Sequence, residues 1–130
     1  MTPVVVDASA LAALVFQEPE SDRVSARLNG MTVAAPVLLK TELASVARKK
    51  ARRHPADAAR IFTALDLALD DRSGLVWHDV NAVDVAILAH ATGLTVYDAT
   101  YVWLAGLLGA DLITLDARLA RATQTLTAQT

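Results

Sequence analysis

Two stretches at opposite ends of this chain share one pattern. Val4-Val5-Val6-Asp7-Ala8-Ser9 and Leu112-Ile113-Thr114-Leu115-Asp116-Ala117 each run from an apolar segment to an aspartate and then into helix-forming residues. A short, continuously apolar run fits a strand buried on both faces, as in a parallel sheet. Parallel strands cannot be joined by tight turns and need crossovers, usually helices. The intervening sequence meets that need. Residues 2–6, 32–35, 75–77 and 111–115 read as strands. Residues 9–16, 21–28, 36–53, 55–69, 81–91 and 95–108 read as helices, and a last short one starts at Asp116. Asn29-Gly30, Gly93 and Gly109 supply helix stops, and residues 70–74 form a polar turn. Pro36 and Pro55 suit first helical turns. The Thr/Gln-rich tail from Thr123 is expected to fray. The alternation predicts an α/β domain over residues 1–130, with a mostly parallel sheet covered by helices on both faces.

Ligands of such sheets bind at the carboxyl ends of the strands, where Asp7 and Asp116 fall. Aspartate is also a preferred helix N-cap, so either residue alone reads equally well as a cap. Two other acids are harder to explain locally. Glu42 has Leu38, Leu39, Ser45 and Val46 as its neighbours one turn away, which puts it on or beside a core-facing stripe. Asp98 is the only charged residue between His90 and Asp111, in a helix apolar nearly all round. Its first-turn position favours a carboxylate through the helix dipole. That does not account for its sharing a face with Tyr101, Val102 and Ala105.

Four converging carboxylates would repel one another by several kcal/mol unless a cation compensates. The chain has no cysteine, and its three histidines lie far apart in sequence, so thiolate chemistry and a zinc site are disfavoured. Oxygen-only ligation points to Mg²⁺ or Mn²⁺, with Asp7, Glu42, Asp98 and Asp116 as candidate ligands. A water activated at such an ion is a nucleophile for phosphodiester hydrolysis. Ser9 and Thr114 are candidate supporting hydroxyls, though local capping explains them as well.

The net charge of −2 looks wrong for a nucleic-acid partner, but it is an average. Setting the four acids aside leaves the other charges summing to +2. Arg48, Lys49, Lys50, Arg52 and Arg53 fall within six residues. Arg48, Lys49, Arg52 and Arg53 are candidate phosphate contacts, or simply a solvated helix end. Tyr97, Tyr101, Trp77 and Trp103 suit base stacking or core packing. No segment approaches the roughly 20 apolar residues of a membrane span, and no signal peptide is evident, so a soluble cytoplasmic protein is expected.

These residues, in this order, resemble the PIN-domain family and, within it, the VapC-type toxins of toxin–antitoxin modules. The resemblance rests on Val-Val-Val-Asp7-Ala-Ser9-Ala-Leu, Glu42-Leu-Ala-Ser-Val, Tyr97-Asp98-Ala-Thr-Tyr101-Val-Trp-Leu-Ala105 and Leu-Ile-Thr114-Leu-Asp116-Ala-Arg-Leu. It places Asp7, Glu42, Asp98 and Asp116 on the family's four acidic positions. It implies an α/β/α sandwich, metal-dependent endonucleolytic cleavage of RNA, a VapB-like antitoxin that blocks the site, and a homodimer. One departure is Ser45, where many relatives carry asparagine.

Two rivals share parts of this pattern. An aspartyl-phosphate enzyme or receiver also needs an aspartate at a strand end. Ser9 stands where the phosphatase type needs a second acid, and no lysine follows a late strand. A non-catalytic PIN-like module that binds RNA or protein is the other, and the presence of all four acids argues against it.

Overall fold

The computed structural model describes residues 2–129. Four strands, β1 (Pro3–Val6), β2 (Thr32–Pro36), β3 (Val76–His78) and β4 (Asp111–Ile113), form one sheet in the order β3-β2-β1-β4, and every neighbouring pair is parallel. Seven α-helices flank it: α1 (Ala8–Val15), α2 (Ser21–Leu28), α3 (Leu38–Arg53), α4 (Ala58–Leu69), α5 (Ala82–Thr92), α6 (Val96–Leu108) and α7 (Ala117–Gln129). The result is the α/β sandwich the alternation predicts, with an all-parallel sheet.

β1 lies between β2 and β4, with Val4 opposite Val33 on one side and Asp111 on the other. Such a central strand is covered on both faces, which is why Val4, Val5 and Val6 are all buried instead of alternating. Ala34, Ala35, Leu112 and Ile113 extend the same core. Helix α6 packs on β1, β2 and β4, and it buries Ala99 through Val102 as well as Leu104 and Ala105. An apolar helix held against the sheet in this way fixes where its own first turn points.

Three sequence expectations are corrected. Pro36 does not open α3. It ends β2, opposite His78, and the Val37 N–H extends the ladder by donating to the His78 carbonyl at 3.0 Å, so the helix starts at Leu38. β4 ends at Ile113, so Thr114 and Leu115 lie in the turn beyond it and not in a strand. The tail expected to fray is helical through Gln129 (Thr130 lies outside the described residues). Leu119 and Leu126, two turns apart, form an apolar stripe against the core, and the Thr123 hydroxyl donates to the Leu119 carbonyl at 2.9 Å. A composition rich in Thr and Gln hides that stripe. No helix among the described residues is long and apolar enough to cross a membrane.

Candidate active site

Because all four strands run the same way, their carboxyl ends share one edge of the sheet. Asp7 follows β1 directly, and Thr114 follows β4 directly. The two meet although 107 residues separate them: the Thr114 hydroxyl donates to Asp7 Oδ2 at 2.5 Å. The Ser9 hydroxyl donates to Asp7 Oδ1 at 2.7 Å, and the Ala10 N–H donates to the same oxygen at 3.0 Å. Ser9 and Thr114 are themselves held. The Leu115 N–H donates to Ser9 Oγ and the Asp116 N–H to Thr114 Oγ1, each at 3.0 Å. Asp7 is therefore a helix cap, as the local reading allows, and it is also clamped from β4.

Asp7 is 5% exposed. Burial pushes its carboxyl above the ordinary value, against the three hydrogen bonds, and the nearby Asp116 pushes it further. Glu42 is half-buried in the second turn of α3. Burial raises its carboxyl too, the Tyr101 hydroxyl bond opposes that, and both Asp7 and Asp98 add repulsion. Electrostatic coupling thus links Asp7 with Asp116, and Glu42 with Asp7 and Asp98.

Asp98 and Asp116 complete the group at its solvent side. The Thr95 side chain caps α6 by accepting from the Asp98 N–H at 3.1 Å, which sets Asp98 in the first turn. Asp116 accepts from the Arg118 and Leu119 N–H groups at 2.9 and 3.2 Å, capping α7. The Arg118 guanidinium then reaches over to Asp98 Oδ2 at 2.6 Å while staying 3.6 Å from Asp116 Oδ2.

Two partners escaped the sequence reading. Tyr101 looked like a core aromatic, and it is one, being buried, but its hydroxyl donates to Glu42 Oε1. Its position three residues after Asp98 puts it on the same helix face as that acid but does not name Glu42 as its partner. Arg118 was read only as part of the Leu-Asp-Ala-Arg-Leu context. No local spacing ties it to Asp98, 20 residues away. Tyr101→Phe should lower metal-free stability by about 1–2 kcal/mol at neutral pH, since a bond to an ionised acceptor is lost. Urea unfolding should show this deficit shrink as Glu42 protonates. A deficit equal at pH 4 and pH 8 would mean that the hydroxyl does not hold an ionised Glu42.

The basic run lies farther off. At about 1.5 Å per residue, Arg48 through Arg53 trail roughly 9 to 16 Å along α3 beyond Glu42. Arg48, Lys49, Arg52 and Arg53 are exposed. Lys50 instead pairs with Glu18 at 2.7 Å, over the Phe16 ring. Of the other aromatics, Tyr97 is exposed and the two tryptophans are partly buried.

The donor set suits a hard divalent ion: four carboxylates, no sulfur or imidazole among them, and a burial-plus-repulsion strain that a cation would relieve. Each carboxylate is meanwhile turned to a protein donor: Asp7 to two hydroxyls, Glu42 to Tyr101, and Asp98 and Asp116 to Arg118. In that arrangement no three acids among the described residues close into a metal-binding group.

A family model described as PIN domain matches residues 4–124. Ribonuclease VapC3 of Pyrobaculum aerophilum is 35% identical over 119 residues, covering 89% of this chain and 91% of its own length. The crystal structure of PAE2754 from Pyrobaculum aerophilum matches with a TM-score of 0.73 at 27% identity, over 98% of this chain and 96% of that one. With a family model spanning nearly the whole chain and a full-length relative of this similarity, the chain belongs to the PIN-domain family, in its VapC-type branch.

Proposed function

We propose that this protein is a metal-dependent endoribonuclease, the toxin of a type II toxin–antitoxin pair, built as one PIN domain. What carries the reading is the buried Asp7 carboxylate, clamped by two hydroxyls and coupled electrostatically to Glu42 and Asp116 at the carboxyl edge of a PIN-type sheet. The full-length similarity to a protein named as a ribonuclease supports RNA as the substrate.

Asp7 and Asp98 are the direct ligands in this proposal, and Glu42 and Asp116 complete the set. A Mg²⁺ or Mn²⁺ ion held there supplies Lewis-acid activation of water and neutralises charge on the scissile phosphate. Ser9 and Thr114 fix the rotamer of Asp7, the carboxylate that would anchor the ion. Glu42, whose proton affinity is raised by burial, is suited to accept a proton from the attacking water. Arg48, Lys49, Arg52 and Arg53 contact backbone phosphates away from the cut, which positions RNA without reading its sequence. A VapB-like antitoxin covers the site, and the protein acts in the cytoplasm as a homodimer.

The purified chain should cut structured RNAs with Mg²⁺ or Mn²⁺, lose all cutting with excess EDTA, and regain it when the ion is restored. Cutting that persists in EDTA would remove the metal from the mechanism. A second reading, a non-catalytic RNA- or protein-binding module, draws on one observation: no three acids among the described residues close into a group that could hold a metal ion. A protein that binds Mn²⁺ yet leaves every RNA intact would favour it.

A further inference from the structure

The acid cluster already contains a cation, and the proposed catalytic scheme gives it no task. Arg118 Nη2 lies 2.6 Å from Asp98 Oδ2 and 3.6 Å from Asp116 Oδ2, so one guanidinium nitrogen bridges two of the four candidate ligands. Its own N–H donates to the other oxygen of Asp116 at 2.9 Å, so the backbone of Arg118 is pinned at the start of α7 while its side chain arches back over the site. Arginine cannot shed its charge in a protein. A divalent ion taking oxygens from both Asp98 and Asp116 would therefore meet a fixed positive charge on those same oxygens. The two cations cannot share them at a separation of a few Å without strong repulsion.

The side chain is also placed to leave. Arg118 is 57% exposed, so the guanidinium can swing into water about its own side-chain torsions, with α7 undisturbed. Asp116 keeps its bonds from the Arg118 and Leu119 N–H groups when the guanidinium goes, and Asp98 sits in the first turn of α6 with only 25% of its side chain exposed.

We propose that Arg118 is a tethered counter-ion of the acid cluster, and that metal entry and release of its guanidinium are a single exchange. The bridged arrangement is then the metal-free resting form, in which Asp98 and Asp116 are neutralised internally. This rests on the reading of Asp98 and Asp116 as metal ligands. Arg118 is a positioning residue in this scheme. It sets the ion concentration at which the site fills.

Mn²⁺ titrated into EDTA-stripped protein, followed by calorimetry and by the paramagnetic resonance of free Mn²⁺, tests this directly. Wild type is compared with Arg118→Gln, Arg118→Met and Asp98→Asn. Exposed ion pairs of this kind change an equilibrium constant by up to about fivefold each, so both Arg118 variants should bind Mn²⁺ roughly three- to tenfold more tightly than wild type. Equal or weaker Mn²⁺ binding in both variants, with a wild type that binds, overturns the exchange and leaves the metal site standing. Binding that survives intact in Asp98→Asn, or is absent from every protein, overturns the metal site and the exchange with it. Binding seen only after Arg118 is replaced would support both.

Discussion

Asp7→Asn should lower RNA cleavage by about 10³-fold or more while making the metal-free protein more stable at neutral pH. The loss follows from removing a charged ligand whose effect on the transition state is worth several kcal/mol, each tenfold being about 1.4 kcal/mol. The gain in stability follows from the burial of the same group. The folded state holds a proton on Asp7 more tightly than the unfolded chain does, because burial and Asp116 oppose its ionisation. Ionised Asp7 therefore costs stability at pH values above its raised folded value. That cost fades as the pH falls through the folded value towards the ordinary one of 3.8. Asparagine has no charge to hold, remains a good N-cap, and can still face Ser9 and Thr114. Urea unfolding in EDTA should thus show Asp7→Asn ahead by about 1 kcal/mol at pH 7, with the lead shrinking towards pH 4. Cleavage retained within tenfold of wild type would remove Asp7 from the site. A variant less stable at pH 7 than at pH 4, relative to wild type, would reverse the electrostatic account.

The other large effect belongs to the scaffold. Leu104 lies fully buried in α6, the helix that carries both Asp98 and Tyr101 and packs on β1, β2 and β4. Leu104→Ala removes three buried carbons and leaves a cavity between helix and sheet, at a cost of about 3 kcal/mol. For a domain of this size that lowers the melting temperature by roughly 10 °C. Leu107, three residues on in the same helix, is 61% exposed. Leu107→Ala should cost under about 0.5 kcal/mol. Thermal unfolding of the two variants gives the comparison, and equal losses would contradict the buried-face assignment of α6.

Much of this was legible because the relevant signals are local. The apolar runs of β1 and β4 and the glycine stops after α5 and α6 need no tertiary knowledge. Glu42 and Asp98 stood out because each broke an apolar helical stripe, and both lie in the cluster. What the sequence hid was set by partners distant in the chain. Nothing local marks the Tyr101 hydroxyl as the donor to Glu42, 59 residues away, or Arg118 as the bridge to Asp98, 20 residues away. The Pro36 boundary failed for a related reason. Proline's fixed φ suits both a first helical turn and a strand end, and the pairing with β3 decides between them. The α7 tail was missed because composition outweighed a two-leucine stripe that matters only once a core exists to receive it.

The strand order β3-β2-β1-β4 has a consequence for the timing of synthesis. β1 lies beside β4, which is made long after it, and the Thr114 clamp on Asp7 joins their ends across 107 residues. Contacts of such sequence separation form late, after the long intervening loop has been closed. A nascent chain on the ribosome can assemble β1, β2 and α3 and already carry Asp7 and Glu42. It holds neither Thr114 nor Asp116 until β4 and the turn beyond it have emerged. The candidate site therefore stays incomplete until β4 and the start of α7 have been made.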